Sequence, residues 1–416
     1  MLVPERRRRS DLVVAAIIVT VASLVLGLIW LGSDARGTTS VTAQTPLPPA
    51  QAASTVPASL SELWRAHSPA TSTPVVAGGA VVAADGGSVA GFDPATGSRA
   101  WEYSRDRSLC DIVGAWDSAV AVYRDERGCA QVTELNGSTG AREKQRTSDA
   151  DAAIELSEDG TYVTSRGDTR LEVWRSDLVR TLEYGRVDAP VNPDGQPRSG
   201  CTLLSSASNS SRLAVLESCP GDAAARLTTL HPAPEDPREP EEFGSTIVTA
   251  LTGADGPIAG AAVLATVGDR VAVAIPEHDD APAAVALFDG VSAPVMEFDL
   301  PEELTDGSEF DQSPAVIDAA SVFSWWTGAG TVALALGDLS PRWMMPGALG
   351  PGALMAGRLL IPVPGGIAVV EAETGSIEQT IAFDRGDYSG PVSTAVIGDI
   401  VVEQRGDELV ALTADR

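Results

Sequence analysis

The sequence predicts an all-β fold: a β-propeller of about eight four-stranded blades, closed by its own N-terminal strand and preceded by one transmembrane helix. Three observations carry this. Short valine-rich runs alternate with Gly, Asp, Pro and Ser breaks, with almost no helical periodicity from Leu60 onward. The pattern recurs at roughly forty to fifty residues, the period of a four-stranded propeller blade. The final copy is one strand short, and the missing strand stands at the front of the domain, at Ser61–His67.

The chain has 416 residues, a formal charge of -28 and 44% hydrophobic residues, of which aromatic residues make up only 5% of the chain. Such a composition allows a large core built mainly from Val, Ala and Leu. Its acidity opposes binding to nucleic-acid phosphates and to anionic lipid head groups. Lys144 is the only lysine, and the other strong bases are arginine, which reads as a GC-rich bacterial codon bias.

Residues 1–10 form a basic tail containing Arg6 to Arg9, and residues 11–32 form a candidate membrane span. The run Leu12 to Leu31 holds no charge and has the length a helix needs to cross about 30 Å of hydrocarbon. Cations before it place the N-terminus in the cytoplasm and the remainder outside, with the bilayer as a partner through residues 11–32. A cleaved signal is the competing reading, but its apolar region is usually shorter. No lipobox-type cysteine follows the run, so lipidation is not suggested. Residues 33–58, with Pro46, Pro48, Pro49 and Pro57, have little apolar mass and are expected to form a disordered tether before the propeller at 59–416.

The repeats fall at 72–103, 109–147, 151–185, 200–247, 261–299, 314–346, 352–384 and 391–414. The fourth carries a Pro- and Glu-rich insertion at 232–243. The last supplies three strands, so Ser61–His67 would complete it and Leu63-Trp64 would correspond to Ala100-Trp101. Closure of this kind removes exposed strand edges. Seven blades remain the alternative, because the middle copies are degenerate.

The segment from Gly86 to Trp101, with Phe92-Asp93, Thr96-Gly97 and Trp101, resembles the PQQ-like, or quinoprotein-type, propeller repeat. Leu135-Asn136 with Thr139-Gly140, and Val370-Glu371 with Thr374-Gly375, match in part. The resemblance implies that Gly97, Gly140 and Gly375 make the tight turn and that Trp64 and Trp101 pack between blades. The physical reasons are Gly's tolerance of positive φ and the large apolar area of an indole whose N–H needs an acceptor. Enzymes of this family use an adjacent Cys-Cys pair, a stacking Trp and calcium ligands. This chain has no adjacent cysteines and no Cys-x-x-Cys-His haem motif. The resemblance is therefore to the family's non-catalytic branch, which includes the propeller lipoprotein of the outer-membrane barrel-assembly machine.

Cys110, Cys129, Cys201 and Cys219 are an even set in a chain read as exported, which argues for disulfides rather than metal. Three pairings exist. Hairpins would bring Cys201 to Cys219 and Cys110 to Cys129, both on one face of the disc. His67, His231 and His278 share no ligand spacing. Asp279-Asp280 and Glu302, Glu303 and Asp306 lack the glycine-containing loop that frames calcium. Trp325, Trp326, Trp343 and Met344 are either a partner-binding patch or core of the sixth repeat.

With no phosphate loop, Gly-x-Ser-x-Gly elbow or His-Glu-x-x-His run, the sequence specifies no catalytic set, metal or cofactor. The expectation is a membrane-anchored extracytoplasmic scaffold that binds an unidentified envelope protein. The alternative is a quinone-dependent or small-ligand-sensing propeller that uses the central funnel.

Overall fold

The computed structural model describes residues 8–31, 33–187, 195–253, 256–279, 281–305, 310, 316–319 and 321–415. Eight four-stranded antiparallel sheets form a ring, spanning 75–105, 109–147, 155–185, 202–247, 262–299, 316–346, 353–382 and, for the eighth, 392–413 with 61–67. In every blade but the last the chain runs from the axis outward. The first strands of blades 1 and 2, of 2 and 3, of 7 and 8, and of 8 and 1 lie in contact around the axis.

The valine-rich runs are the middle strands, which are buried on both sides. Ala80, Val82 and Ala84 point toward blade 2, while Val81 and Ala83 point toward blade 8. Both faces meet a neighbouring sheet, so both must be apolar, and the alternation expected of a half-buried strand disappears. The buried apolar residues divide into eight clusters, one at each blade interface. Complete burial of one such Val or Leu is worth about 1.5–3 kcal/mol.

Closure follows the expected register. Ser61–His67 pairs antiparallel with Glu408–Thr413, Trp64 opposite Ala411 and His67 opposite Glu408. The last blade is thus made from both ends of the domain, and the ring cannot open without separating these strands.

The expectation of a disordered tether over 33–58 is corrected. Thr38–Val41 forms a fifth strand on the outer edge of blade 1, paired with Arg99–Arg105. Beyond it the chain crosses a face of the ring. Ala43 N–H donates to Thr139 and Leu47 N–H to Ser138, and Leu47 is buried among blade 1 and 2 side chains. Ala53 and Val56 pack on the blade 7 and 8 cluster. Composition missed this because four or five well-placed apolar residues suffice when a ready-made sheet edge satisfies the backbone.

The most apolar 18 residues of the helix Arg9–Leu31 have mean hydropathy 3.0, and the helix buries none of its residues in the protein. The first part of the basic tail, residues 1–7, lies outside the described residues.

Candidate functional site

A groove of about 680 Å³ opens on the rim where blades 2, 3 and 4 meet. Its walls carry Arg127, Arg146, Arg170, Arg180 and Arg238, with Asp149 and Glu183 as the acidic residues. Five guanidiniums gathered in one place contrast with a chain whose net charge is -28. Their origins are scattered. Arg127 comes from the hairpin between Ser118–Asp125 and Gly128–Asn136, Arg146 from the outer strand of blade 2, Arg170 and Arg180 from the last two strands of blade 3, and Arg238 from the blade 4 insertion.

The floor is a buried ion network centred on Glu172. Arg170 Nη2 donates to Glu172 at 2.7 Å and to Glu183 at 3.1 Å, and Trp174 Nε1 donates to Glu172 at 2.9 Å. Arg146 lies 3.3 Å from Glu172, donates to the Leu178 carbonyl at 2.8 Å and stands over the Trp174 ring. Arg180 pairs with both Glu172 and Glu183. Three guanidiniums thus share two carboxylates. Burial pushes the Glu172 carboxyl up, but the guanidiniums of Arg146 and Arg170, with Ser148 and Trp174, outweigh it and hold it below its usual range. Burial lowers the Arg146 pKa, opposed by Glu172. The Nε atoms of Arg146 and Arg170 have no hydrogen-bond partner. Arg127 and Arg238 are about half exposed and are paired with Asp125 and Asp236. Exposed pairs of this kind are worth at most about 1 kcal/mol, so an incoming carboxylate can exchange into them at little cost.

On the ring's other face, three indoles lie on glycines of the next blade. Trp64 rests on Gly97, Trp101 on Gly140 and Trp343 on Gly375, so that a Cβ on each glycine would stand 2.5–2.6 Å from the ring or its Cβ. Each glycine holds φ between +67° and +72°. The three Nε1–H groups donate to Pro94, Gly137 and Ala372 carbonyls at 2.7–2.8 Å. Residues 50–166 match the family described as outer membrane protein assembly factor BamB.

The repeat is of the PQQ-like propeller type.

The ring is similar to the crystal structure of BamB from Moraxella catarrhalis, at 14% identity and a TM-score of 0.51, over 85% of this chain and 99% of that one. It is also similar to the crystal structure of the Saccharomyces cerevisiae Sqt1, at 9% identity and a TM-score of 0.50, over 91% of this chain and all of the other. Identities this low speak for the fold and not for a shared activity. No curated protein sequence matches the chain.

In PQQ-like terms, Trp343 belongs with Trp64 and Trp101 as a repeat tryptophan. The four residues read as a partner patch or sixth-repeat core do not form an exposed patch. Trp325 is buried against Phe310 with ring centroids 5.1 Å apart, Trp326 donates to the Ala348 carbonyl, and Met344 packs on the blade 5 and 6 cluster. In the other blades, register puts Lys144, Leu182, Gly244, Met296 and Gln379 at the tryptophan position. That loss of the indole is why the middle copies look degenerate. Gln379 keeps the bond alone, donating to the Ala58 carbonyl at 3.2 Å where the closure segment stands in for a turn.

Both disulfides form, Cys110–Cys129 and Cys201–Cys219, on the face where each blade begins. Cys201, Cys219 and Glu217 lie close enough to hold a cation, but the two sulfurs are bonded to each other and so are not thiolate ligands. Glu217 instead accepts from Tyr184, Thr228 and Arg198. His67 pairs with Glu408, His231 accepts from Ala233 N–H, and His278 lies beside the Pro276 carbonyl, so the three are not brought together. Glu302 and Glu303 are exposed, while Asp280 and Asp306 lie outside the described residues.

The sequence reading missed the arginine groove. Its one linear signal is the strand Arg142–Thr147, where Arg142, Lys144 and Arg146 stand in six residues of an acidic chain. The remaining arginines reach the groove only through blade packing.

Proposed function

We propose that this protein is a membrane-anchored scaffold that holds a rigid propeller outside the cytoplasm to bind another protein of the cell envelope. The observation that carries this reading is the coupling of helix to ring. The apolar helix ends at Leu31, and Thr38–Val41 is already a strand of blade 1. A disc joined so tightly to an apolar helix stands at the membrane surface with its rim and faces open to partners. Two disulfides suit an oxidising compartment. The name of the matched family, an assembly factor of outer-membrane proteins, supports a role in assembling others rather than in catalysis. We read the N-terminus as cytoplasmic, the helix as uncleaved and the ring as non-catalytic.

The test is photo-crosslinking in intact membranes, with the photoreactive residue placed at Arg127, at Arg238 or on the opposite face at Asp399. The expected result is one reproducible protein adduct from at least one position, in the membrane fraction. Recovery of the chain in the soluble fraction with Arg9–Leu31 removed by processing, or no adduct from any position, would overturn the reading.

A further inference from the structure

The chain enters the ring at one place, and that place belongs to one face. Only residues 32–37 separate Leu31, the end of the apolar helix, from Thr38, the start of the strand added to blade 1. Thr38 lies opposite Arg105 and Val41 opposite Glu102, so this strand starts at the Arg105 end of its neighbour. Arg105 N–H donates to the Gly87 carbonyl in the hairpin between the middle strands, and Leu109, which begins blade 2, donates to Gly86. That end is on the face where the blades begin, the face of both disulfides. From Val41 the chain passes to the opposite face, where Ala43 N–H meets the Thr139 carbonyl in the turn of blade 2.

The link is short and tied at both ends. Asp34–Gly37 is wound into a 3₁₀ turn, which advances about 2 Å per residue. With Gly32 and Ser33 fully extended, the whole link reaches about 15 Å. The inner strand Leu109–Ala115 gives the ring a depth of about 23 Å. The link cannot carry the bilayer round to the other face. Ser33 donates its N–H and Oγ to the Trp30 carbonyl at 3.3 and 3.0 Å, and Arg36 stands over the Trp30 ring at 5.6 Å. At the ring end, the Gly37 carbonyl accepts from Asp106 N–H at 2.9 Å. These contacts take up the slack that would let the ring swing onto its rim.

We propose that the face on which the blades begin lies against the lipid head groups of the bilayer, and that the face of the Thr-Gly turns looks away from it. This rests on the reading of Arg9–Leu31 as an uncleaved anchor, and it narrows where a folded partner can dock to the turn face and the rim. The tether imposes the pose. Lipid affinity does not, because a net charge of -28 opposes anionic head groups.

The experiment places a donor dye, through a genetically encoded azide, at Glu126 or Glu277 on the first face and at Ala95 or Asp269 on the other, all of them exposed. The full-length chain is held in nanodiscs of phosphatidylcholine with a fluorescent acceptor on a fraction of the head groups. Energy transfer should be at least twofold greater from Glu126 and Glu277 than from Ala95 and Asp269. Blades 1 and 2 flank the anchor and blade 5 lies across the ring, so the four sites separate the poses. If Glu126 and Ala95 alike exceed Glu277 and Asp269, the ring stands on its rim and the proposal is overturned. Equal transfer from all four sites, or the reverse order, also overturns it. Neutron reflectivity of the unlabelled chain in a supported bilayer of the same lipid needs no substitution. A protein layer about one inner strand deep is expected, and a layer as deep as the ring is wide overturns the proposal. Loss of the chain from the nanodisc fraction would sink the anchor reading with this one. If the helix holds the chain in the disc and the ranking fails, only the face assignment falls.

Discussion

The indole of Trp101, in the outer strand of blade 1, lies against Gly140 in the turn of blade 2 and donates its N–H to the Gly137 carbonyl at 2.7 Å. Trp101 is only 1% exposed, so this contact fixes the distance between two sheets that share no backbone ladder. Trp64 on Gly97 repeats it across the point where the ring closes.

Trp101→Ala should cost about 3–5 kcal/mol, the range for removing a fully buried aromatic. Gly140→Ala should cost more than the 1–2 kcal/mol or so of positive-φ strain alone, because the new Cβ meets the indole at 2.6 Å. In the double variant the clash is gone, so the two effects should add to less than their sum. Urea unfolding of the three variants measures this; simple additivity would mean the indole and the glycine are not in contact.

Leu47→Ala should release the segment that crosses the ring face without melting the ring. Leu47 is 8% exposed and sits at the margin of the blade 1 and 2 cluster, so a loss of about 2 kcal/mol is expected, confined to this segment. Hydrogen exchange should rise at the Ala43 and Leu47 amides and leave the amides of Ala80–Asp85 unchanged. Fast exchange at Ala43 and Leu47 in the unaltered protein would restore the disordered tether.

Replacing both cysteines of either disulfide by alanine should lower stability by about 3 kcal/mol, since each bridge closes a loop of 18 or 19 residues. Denaturant midpoints with and without reductant check the figure, and the doubly substituted variants should lose their sensitivity to reductant one bridge at a time.

Asp111 gives the ring a pH dependence opposite to that of a salt-bridged carboxylate. Burial raises its pKa to about 6, even though its oxygens accept the N–H groups of Leu156 and Ile112. The folded state therefore holds this proton more tightly than the unfolded chain. The contribution to stability is greatest at low pH and is lost as pH rises from about 4 through about 6, by at most about 3 kcal/mol. Relative to the wild type, Asp111→Asn should gain stability across that window and hold the gain above it. Paired urea melts at pH 4.5 and pH 7 measure the change, and a gap that does not move with pH would place the Asp111 titration elsewhere.

Much of this architecture was legible in the residues themselves. Valine runs between Gly- and Asp-rich turns define middle strands, because a strand buried on both faces cannot alternate. The spacing of cysteines within single repeats favoured, among three pairings, the one that forms, and the orphan strand with Trp64 pointed to closure. These are local or periodic facts, and their physics acts within one blade or repeats from blade to blade. Three things belong to tertiary structure alone. Thr38–Val41 has no composition to mark it as a strand, and only the open edge at Arg99–Arg105 makes it one. Trp343 could be told from a surface tryptophan only once Gly375 was beneath it. The arginine groove gathers residues from 127 to 238 through the packing of three blades, and along the chain only the short run Arg142–Thr147 hints at it.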